Sequence, residues 1–145
     1  MNYDSVLNKA SNLLSHFEVR NPRLDSELLL SSLLSTSREN LLLNLNKKIS
    51  QKEYFKFLDL LSERKKKKPI AYILGFKEFW RSKFITNESV LIPRPETELL
   101  VEASLHYLSK KKSNRIIDIG TGSGCIIISI LKESLKSKGV ALEVS

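Results

Sequence analysis

From Arg115 to Gly124 the chain reads Arg-Ile-Ile-Asp-Ile-Gly-Thr-Gly-Ser-Gly, an apolar run ending in three alternating glycines. Gly120, Gly122 and Gly124 permit something that bulkier residues do not. A residue without a Cβ enters positive φ at no steric cost, and it leaves main-chain N–H groups bare for a ligand to press against. The stretch that follows reads as a helix over 123–137, whose N-terminus offers free N–H groups and the positive end of a dipole. The pattern therefore predicts a buried strand, a tight turn and a helix, the opening unit of a nucleotide-type cofactor site. Spacing narrows the cofactor. The dinucleotide fingerprint wants its third glycine where Cys125 stands, and the Gly-Lys-Ser/Thr ending of the phosphate loop is absent.

The Asp-x-Gly-x-Gly-x-Gly order over Asp118–Gly124 resembles motif I of the class I methyltransferases, which bind S-adenosylmethionine. A second stretch is more specific. Pro69-Ile-Ala-Tyr-Ile-Leu-Gly-Phe-Lys-Glu-Phe-Trp80 is followed by Val90-Leu-Ile-Pro-Arg-Pro-Glu-Thr-Glu98. In order and spacing these blocks resemble the signature of the peptide chain release factor glutamine N5-methyltransferases. The resemblance runs from about Pro22 to the end of the chain, and before Lys68 it is one of character only.

This resemblance implies methyl transfer from S-adenosylmethionine to the side-chain amide of the glutamine in the Gly-Gly-Gln motif of a release factor, with no metal and no covalent intermediate. It implies that Gly120, Thr121, Gly122, Ser123 and Gly124 carry the cofactor contacts. Asp118 would orient the loop or sit near the methionine ammonium. Thr97 would approach the cofactor from the linker side, or else cap the start of a helix. Family members place an acid at the tip of the second strand for the ribose hydroxyls; Glu143 is nearest here and reads as about two residues early. Their Asn-Pro-Pro-Tyr motif, which holds the target amide, does not occur in this sequence, so no catalytic residue is assigned. The expectation is the front part of a longer enzyme, binding cofactor weakly or not at all and not catalysing by itself.

The elements that must position these residues can be read by period. Val6, Ala10, Leu13 and Phe17 share a helical face over residues 4–17, with Leu7 and Leu14 beside it. Asn21-Pro22 opens a Leu-rich helix through Leu34. Ser37 suits a cap for a short helix over Leu41 to Leu45. Ser50-Gln-Lys-Glu53 matches a capping box, and the helix behind it turns Tyr54, Phe57, Leu58 and Leu61 inward. Ile70 to Leu74 reads as a last short helix ended by Gly75. Alternation over 79–85, a polar turn at Thr86–Ser89 and Val90–Ile92 predict a β-hairpin. Pro95 suits a helix start, with Leu100, Ala103 and Tyr107 toward the sheet. Gly139 fits a C-cap, and Val140–Val144 reads as a second strand. The expected class is α/β with an N-terminal all-α domain: a helical docking bundle over 1–76, a hairpin linker over 77–93, and the first strands and helices of a Rossmann-like methyltransferase sheet over 94–145.

The remaining features bound the reading. With 41% hydrophobic and 28% charged residues, the 145-residue chain has the composition of a folded protein. One cysteine, Cys125, excludes an internal disulfide and reads as packed under the sheet. His16 and His106 stand alone, without metal-ligand spacing. No apolar run approaches membrane-spanning length, so a cytoplasmic location is expected by default. The net charge of +8 favours an acidic partner. Nucleic acid fits that charge, but the Pro-Arg-Pro-Glu-Thr-Glu block speaks for a release factor instead. A non-catalytic helical module docking a release factor or RNA is the alternative. Lys65–Lys68 reads as a helix's dipole-complementing last turn, and Lys110–Lys112 as a solvated turn.

Overall fold

Asn2, Ser37 and Ser50 each begin a helix by accepting a main-chain N–H, from Ser5, Asn40 and Glu53 respectively. These caps and Pro22 at the second helix's first turn divide the first half of the chain into short helices. The computed structural model describes residues 1–110 and 114–144; Lys111 and Lys112, read above as a turn, lie outside them. Two compact units are present, Met1–Leu74 and Gly75–Ser145.

The first unit holds α1 (Tyr3–His16), α2 (Pro22–Leu33), α3 (Arg38–Leu43), α4 (Gln51–Lys65) and α5 (Ile70–Leu74). Its core joins Val6, Leu7, Ala10 and Leu14 to Leu29, Leu30, Leu41, Phe57 and Leu61. The apolar face of α1 is thus rotated from the expected one. Phe17 is exposed and lies under the Lys65 ammonium at 4.5 Å. Leu58 also stays on the surface. The Leu-rich α2 also hides two acids, Asp25 and Glu27. Glu27 is clamped by Arg23 and Arg38, each at 2.7 Å, and Asp25 by Arg64 at 2.7 Å. Pairing is what makes buried carboxylates tolerable. The lysine run is absorbed within the unit: Lys66 and Lys68 face Glu63, and Lys67 faces Glu18.

The capping box at Ser50 is complete, with Glu53 reaching back to the Ser50 N–H at 2.8 Å. Hydrogen bonds from the Ser50 hydroxyl, and then its amide, hold the Glu53 carboxyl below its usual range. A lowered folded-state value means that this stabilisation is present at neutral pH and fades as pH falls through it. Ser50→Ala is therefore expected to lower stability by about 1 kcal/mol at pH 7, with a smaller loss below about pH 4. Denaturant midpoints at the two pH values check this.

The second unit begins with a hairpin, β1 (Phe76–Phe79) and β2 (Ser82–Ile85), paired antiparallel with Phe79 opposite Ser82. The expected hairpin exists, but three to eight residues earlier, and Val90–Ile92 is not a strand. Phe79 and Phe84 meet edge-to-face inside the core, which fixes this register over the polar turn at 86–89. The turn falls on Trp80-Arg81, with Trp80 at φ +47. That conformation is costly for a bulky residue, and three bonds hold it in place. The Trp80 N–H donates to Glu98 at 2.7 Å, its indole N–H to Glu133 at 3.2 Å, and Lys132 donates to Ser82 at 2.9 Å.

A 3-10 turn at Pro95–Thr97 leads into α6 (Glu98–Ser109). The extra tight turn shifts the helix's phase. Val101 is buried, with Leu105 and Leu108 packed beside it, while Leu100 and Tyr107 are 53% and 60% exposed. The expected inward face of Leu100, Ala103 and Tyr107 is therefore the outer one.

Next come β3 (Asn114–Ile119), α7 (Cys125–Glu133) and β4 (Ser137–Leu142), the strands pairing in parallel with Ile119 opposite Leu142. Strand, helix and parallel strand in this order open a Rossmann-like α/β sheet. The helix ends four residues short of the expected 137, and the second strand starts three residues early. Gly139 is no cap. It sits within β4, where an added Cβ would meet Ile127 Cδ1 at 2.8 Å and Leu131 Cδ1 at 3.0 Å, so α7 packs directly on strand backbone. Cys125 is buried in the same core. On the opposite face Ile117 and Ile119 remain 67% and 79% exposed.

Candidate functional site

The glycine loop forms where the apolar strand β3 stops and α7 starts. Gly120, Gly122 and Gly124 lie at φ +72, +54 and +74, the left-handed region that only glycine enters readily. Space divides their roles. At Gly120 and Gly122 an added Cβ would meet nothing within 4 Å, whereas at Gly124 it would strike Ile128 Cδ1 at 2.9 Å. The first two glycines thus give the loop its path and leave its outer side open. Gly124 is the N-cap of α7 and packs against it, its carbonyl accepting from the Ile128 N–H at 3.0 Å.

Internal bonds set the loop's shape. The Thr121 hydroxyl donates to Asp118 at 2.8 Å, and the Gly124 N–H to the Thr121 carbonyl at 2.9 Å. Asp118 is half-buried on β3, on the side away from Ile117 and Ile119. Of the two roles left open for it, orienting the loop is the one with a bond behind it. Ser123 is half-buried between the last two glycines. Six of the seven expected residues, Asp118 and Gly120 to Gly124, thus share one strand–loop–helix. Thr97 stands apart. It closes the 3-10 turn and precedes α6, and its hydroxyl makes no capping bond. Among the described residues no hydrogen bond joins it to the loop.

Glu143 is the residue that sequence reasoning undervalued. Because β4 ends at Leu142, Glu143 is the first residue beyond the strand, at its C-terminal tip. Its carboxylate accepts the Gly122 N–H at 2.6 Å. The signal for this placement was the pattern over 137–142. Small Gly139 and Ala141 alternate there with Val140 and Leu142, as expected of a strand with a helix on one face. Among the described residues no group of His, Cys, Asp and Glu could hold a metal ion, and no helix is long and apolar enough to cross a membrane. An open groove of about 480 Å³ runs along α6 and β3, lined by Ala103, Tyr107, Arg115, Ile117 and Ile130; it includes no residue of the loop.

A helical first unit, then a hairpin, then a strand–glycine loop–helix–parallel strand define the N-terminal part of a Rossmann-like α/β protein. Known proteins agree. Residues 5–75 match the PrmC N-terminal domain. The release factor glutamine methyltransferase of Nitratidesulfovibrio vulgaris is 39% identical over 140 residues, which cover 97% of this chain and 47% of that protein. That of Leptospira interrogans is 42% identical over 130 residues, 87% of this chain and 44% of that protein. The bifunctional methyltransferase of Rickettsia felis is 35% identical over 167 residues, 97% of this chain and 32% of that protein. The chain is similar to release factor glutamine methyltransferases, and it spans from about a third to about a half of the length of these relatives.

Proposed function

We infer that this chain provides the cofactor loop and the substrate-docking bundle of an S-adenosylmethionine-dependent methyltransferase. Its acceptor is the glutamine side-chain amide nitrogen, N5, in the Gly-Gly-Gln motif of a peptide chain release factor. One observation carries the reading: three left-handed glycines join β3 to α7, with an acid at the tip of the paired strand beside them. These residues fit the cofactor in kind. Gly120 and Gly122 leave room in front of the loop, the N-terminus of α7 faces it, and Glu143 offers two oxygens for two ribose hydroxyls. Asp118 keeps the loop in shape through Thr121. Thr97 is assigned to the cofactor from the linker side, since its hydroxyl makes no capping bond at the start of α6.

When bound, S-adenosylmethionine supplies a methyl group on a sulfonium, an electrophile that needs no metal activation. The difficulty lies with the acceptor. An amide nitrogen is a poor nucleophile because its lone pair is delocalised into the carbonyl. Catalysis then rests on alignment of that nitrogen and on acceptors for its N–H groups. Residues 1–145 contribute the first half of that arrangement, a fixed cofactor position. The helical unit, which closes a core of its own, is assigned to docking the release factor.

A chimera tests this reading. Residues 1–145 replace the matching stretch of the Nitratidesulfovibrio vulgaris relative, and methyl transfer from labelled S-adenosylmethionine to a release factor is measured. Label on the Gly-Gly-Gln glutamine is expected. A chimera that folds and binds the release factor but transfers no methyl group supports the docking-module reading instead.

A further inference from the structure

The end of β4 holds the glycine loop through three consecutive main-chain donors. The Leu142 carbonyl accepts the N–H groups of Gly120 and Thr121 at 2.8 and 3.1 Å. The Glu143 carboxylate accepts that of Gly122 at 2.6 Å, and its other oxygen accepts from the Val144 N–H at 3.0 Å. Consecutive N–H groups in such a turn form an anion-binding concavity, and a carboxylate on a main-chain donor makes a charge-assisted bond, about twice as strong as a neutral one. The third bond differs in kind from the first two. Those two end on main chain fixed by strand pairing, whereas this one ends on a side chain that can rotate away. Gly122 and Glu143 are both exposed, and the space in front of the Gly122 backbone is open.

We propose that Glu143 is a latch on the cofactor loop. In the empty loop its carboxylate occupies the Gly122 N–H. An arriving nucleoside cofactor displaces it, which frees the amide for the cofactor and the carboxylate for the ribose hydroxyls. This rests on the cofactor reading above and adds to it: one acceptor serves the loop before binding and the ligand after. The latch competes with the ligand, so it also tunes affinity downward while keeping the empty loop folded.

Amide hydrogen exchange of the whole chain, read by NMR, decides the matter. In the ligand-free native chain Gly122 is expected to be protected, and in Glu143→Ala that protection is lost while Gly120 and Thr121 keep theirs. Fast exchange of Gly122 in the native chain, or unchanged protection in the variant, overturns the latch. If the variant also releases Gly120 and Thr121, Glu143→Leu takes its place, keeping the side chain's bulk without an acceptor. Faster exchange at Gly122 then supports the latch, and no change overturns it. Adding S-adenosylmethionine to the native chain separates the two readings. Shifts at Gly122 together with Ser123 and Gly124 support displacement. Shifts at Ser123 and Gly124 with Gly122 still, its protection intact, overturn it. No shift at any loop amide counts against the cofactor reading, and the latch then stands or falls on the exchange result.

Discussion

Phe57→Ala will unfold the helical unit at a denaturant concentration where the native chain is still folded. Phe57 has no exposed surface, and it sits on α4 among Leu7, Leu14, Leu29 and Leu30. Removing a buried phenylalanine ring costs about 3–5 kcal/mol, in lost transfer energy plus the cavity left behind. A folded unit of this size holds roughly 4–11 kcal/mol in all, at 0.05–0.15 kcal/mol per residue. One substitution therefore removes much or all of the margin. The measurement is helical circular dichroism against denaturant. Trp80, the one tryptophan of the sequence, lies in the second unit and reports there separately. A large drop in the circular-dichroism midpoint is the expected result. A midpoint within about 1 kcal/mol of the native one would mean that the ring is not buried as described.

The same core shows what the sequence made legible and what it hid. Capping chemistry is local, so Ser37, Ser50 and Gly75 could be placed from a few neighbours alone. Helical phase is not local. Phe17 looked inward on a helical wheel but lies on the surface under Lys65. The burial of Asp25 and Glu27 had no local mark: Arg64 stands 39 residues from Asp25, and Glu27 needs Arg38, 11 residues away, as well as its neighbour Arg23. In the second unit the errors have separate causes. Pro95–Thr97 forms a 3-10 turn rather than α-helix, and this rotates α6 so that Val101 rather than Leu100 meets the core. Gly139 was read by residue type as a helix stop, yet its lack of a Cβ serves the contact with Ile127 and Leu131. That one reading also displaced β4 and left Glu143 two residues from where it belongs. The glycine loop itself was legible because positive φ and open space leave a direct mark on residue type.

Valine at both Gly120 and Gly122 should abolish methyl transfer in the chimera while leaving both units folded. The two positions lie at φ +72 and +54. Left-handed backbone costs an L-residue roughly 1–2 kcal/mol, and a β-branched side chain makes it a true outlier. An added Cβ meets no neighbour within 4 Å at either site, so strain is the only cost to folding. The core built on Phe79, Phe84, Val101, Cys125 and Ile130 contains neither glycine. Relaxing that strain moves the loop, and the new side chains fill the space in front of its N–H groups. Displacing a reacting group by about 1 Å can cost on the order of a hundredfold in rate, and steric exclusion of the cofactor adds to that. The rate should therefore fall by at least about a hundredfold, with no compensating rise at higher release-factor concentration. Gly124→Ala is the control that assigns the cause. Its Cβ would meet the partly exposed Ile128 side chain of α7 rather than a ligand, at a φ of +74 that strains any L-residue, so it should lower the unfolding midpoint of the second unit as well as the rate. If the double valine chimera transferred methyl groups at the native rate, the loop could not be the cofactor's seat, whatever its resemblance.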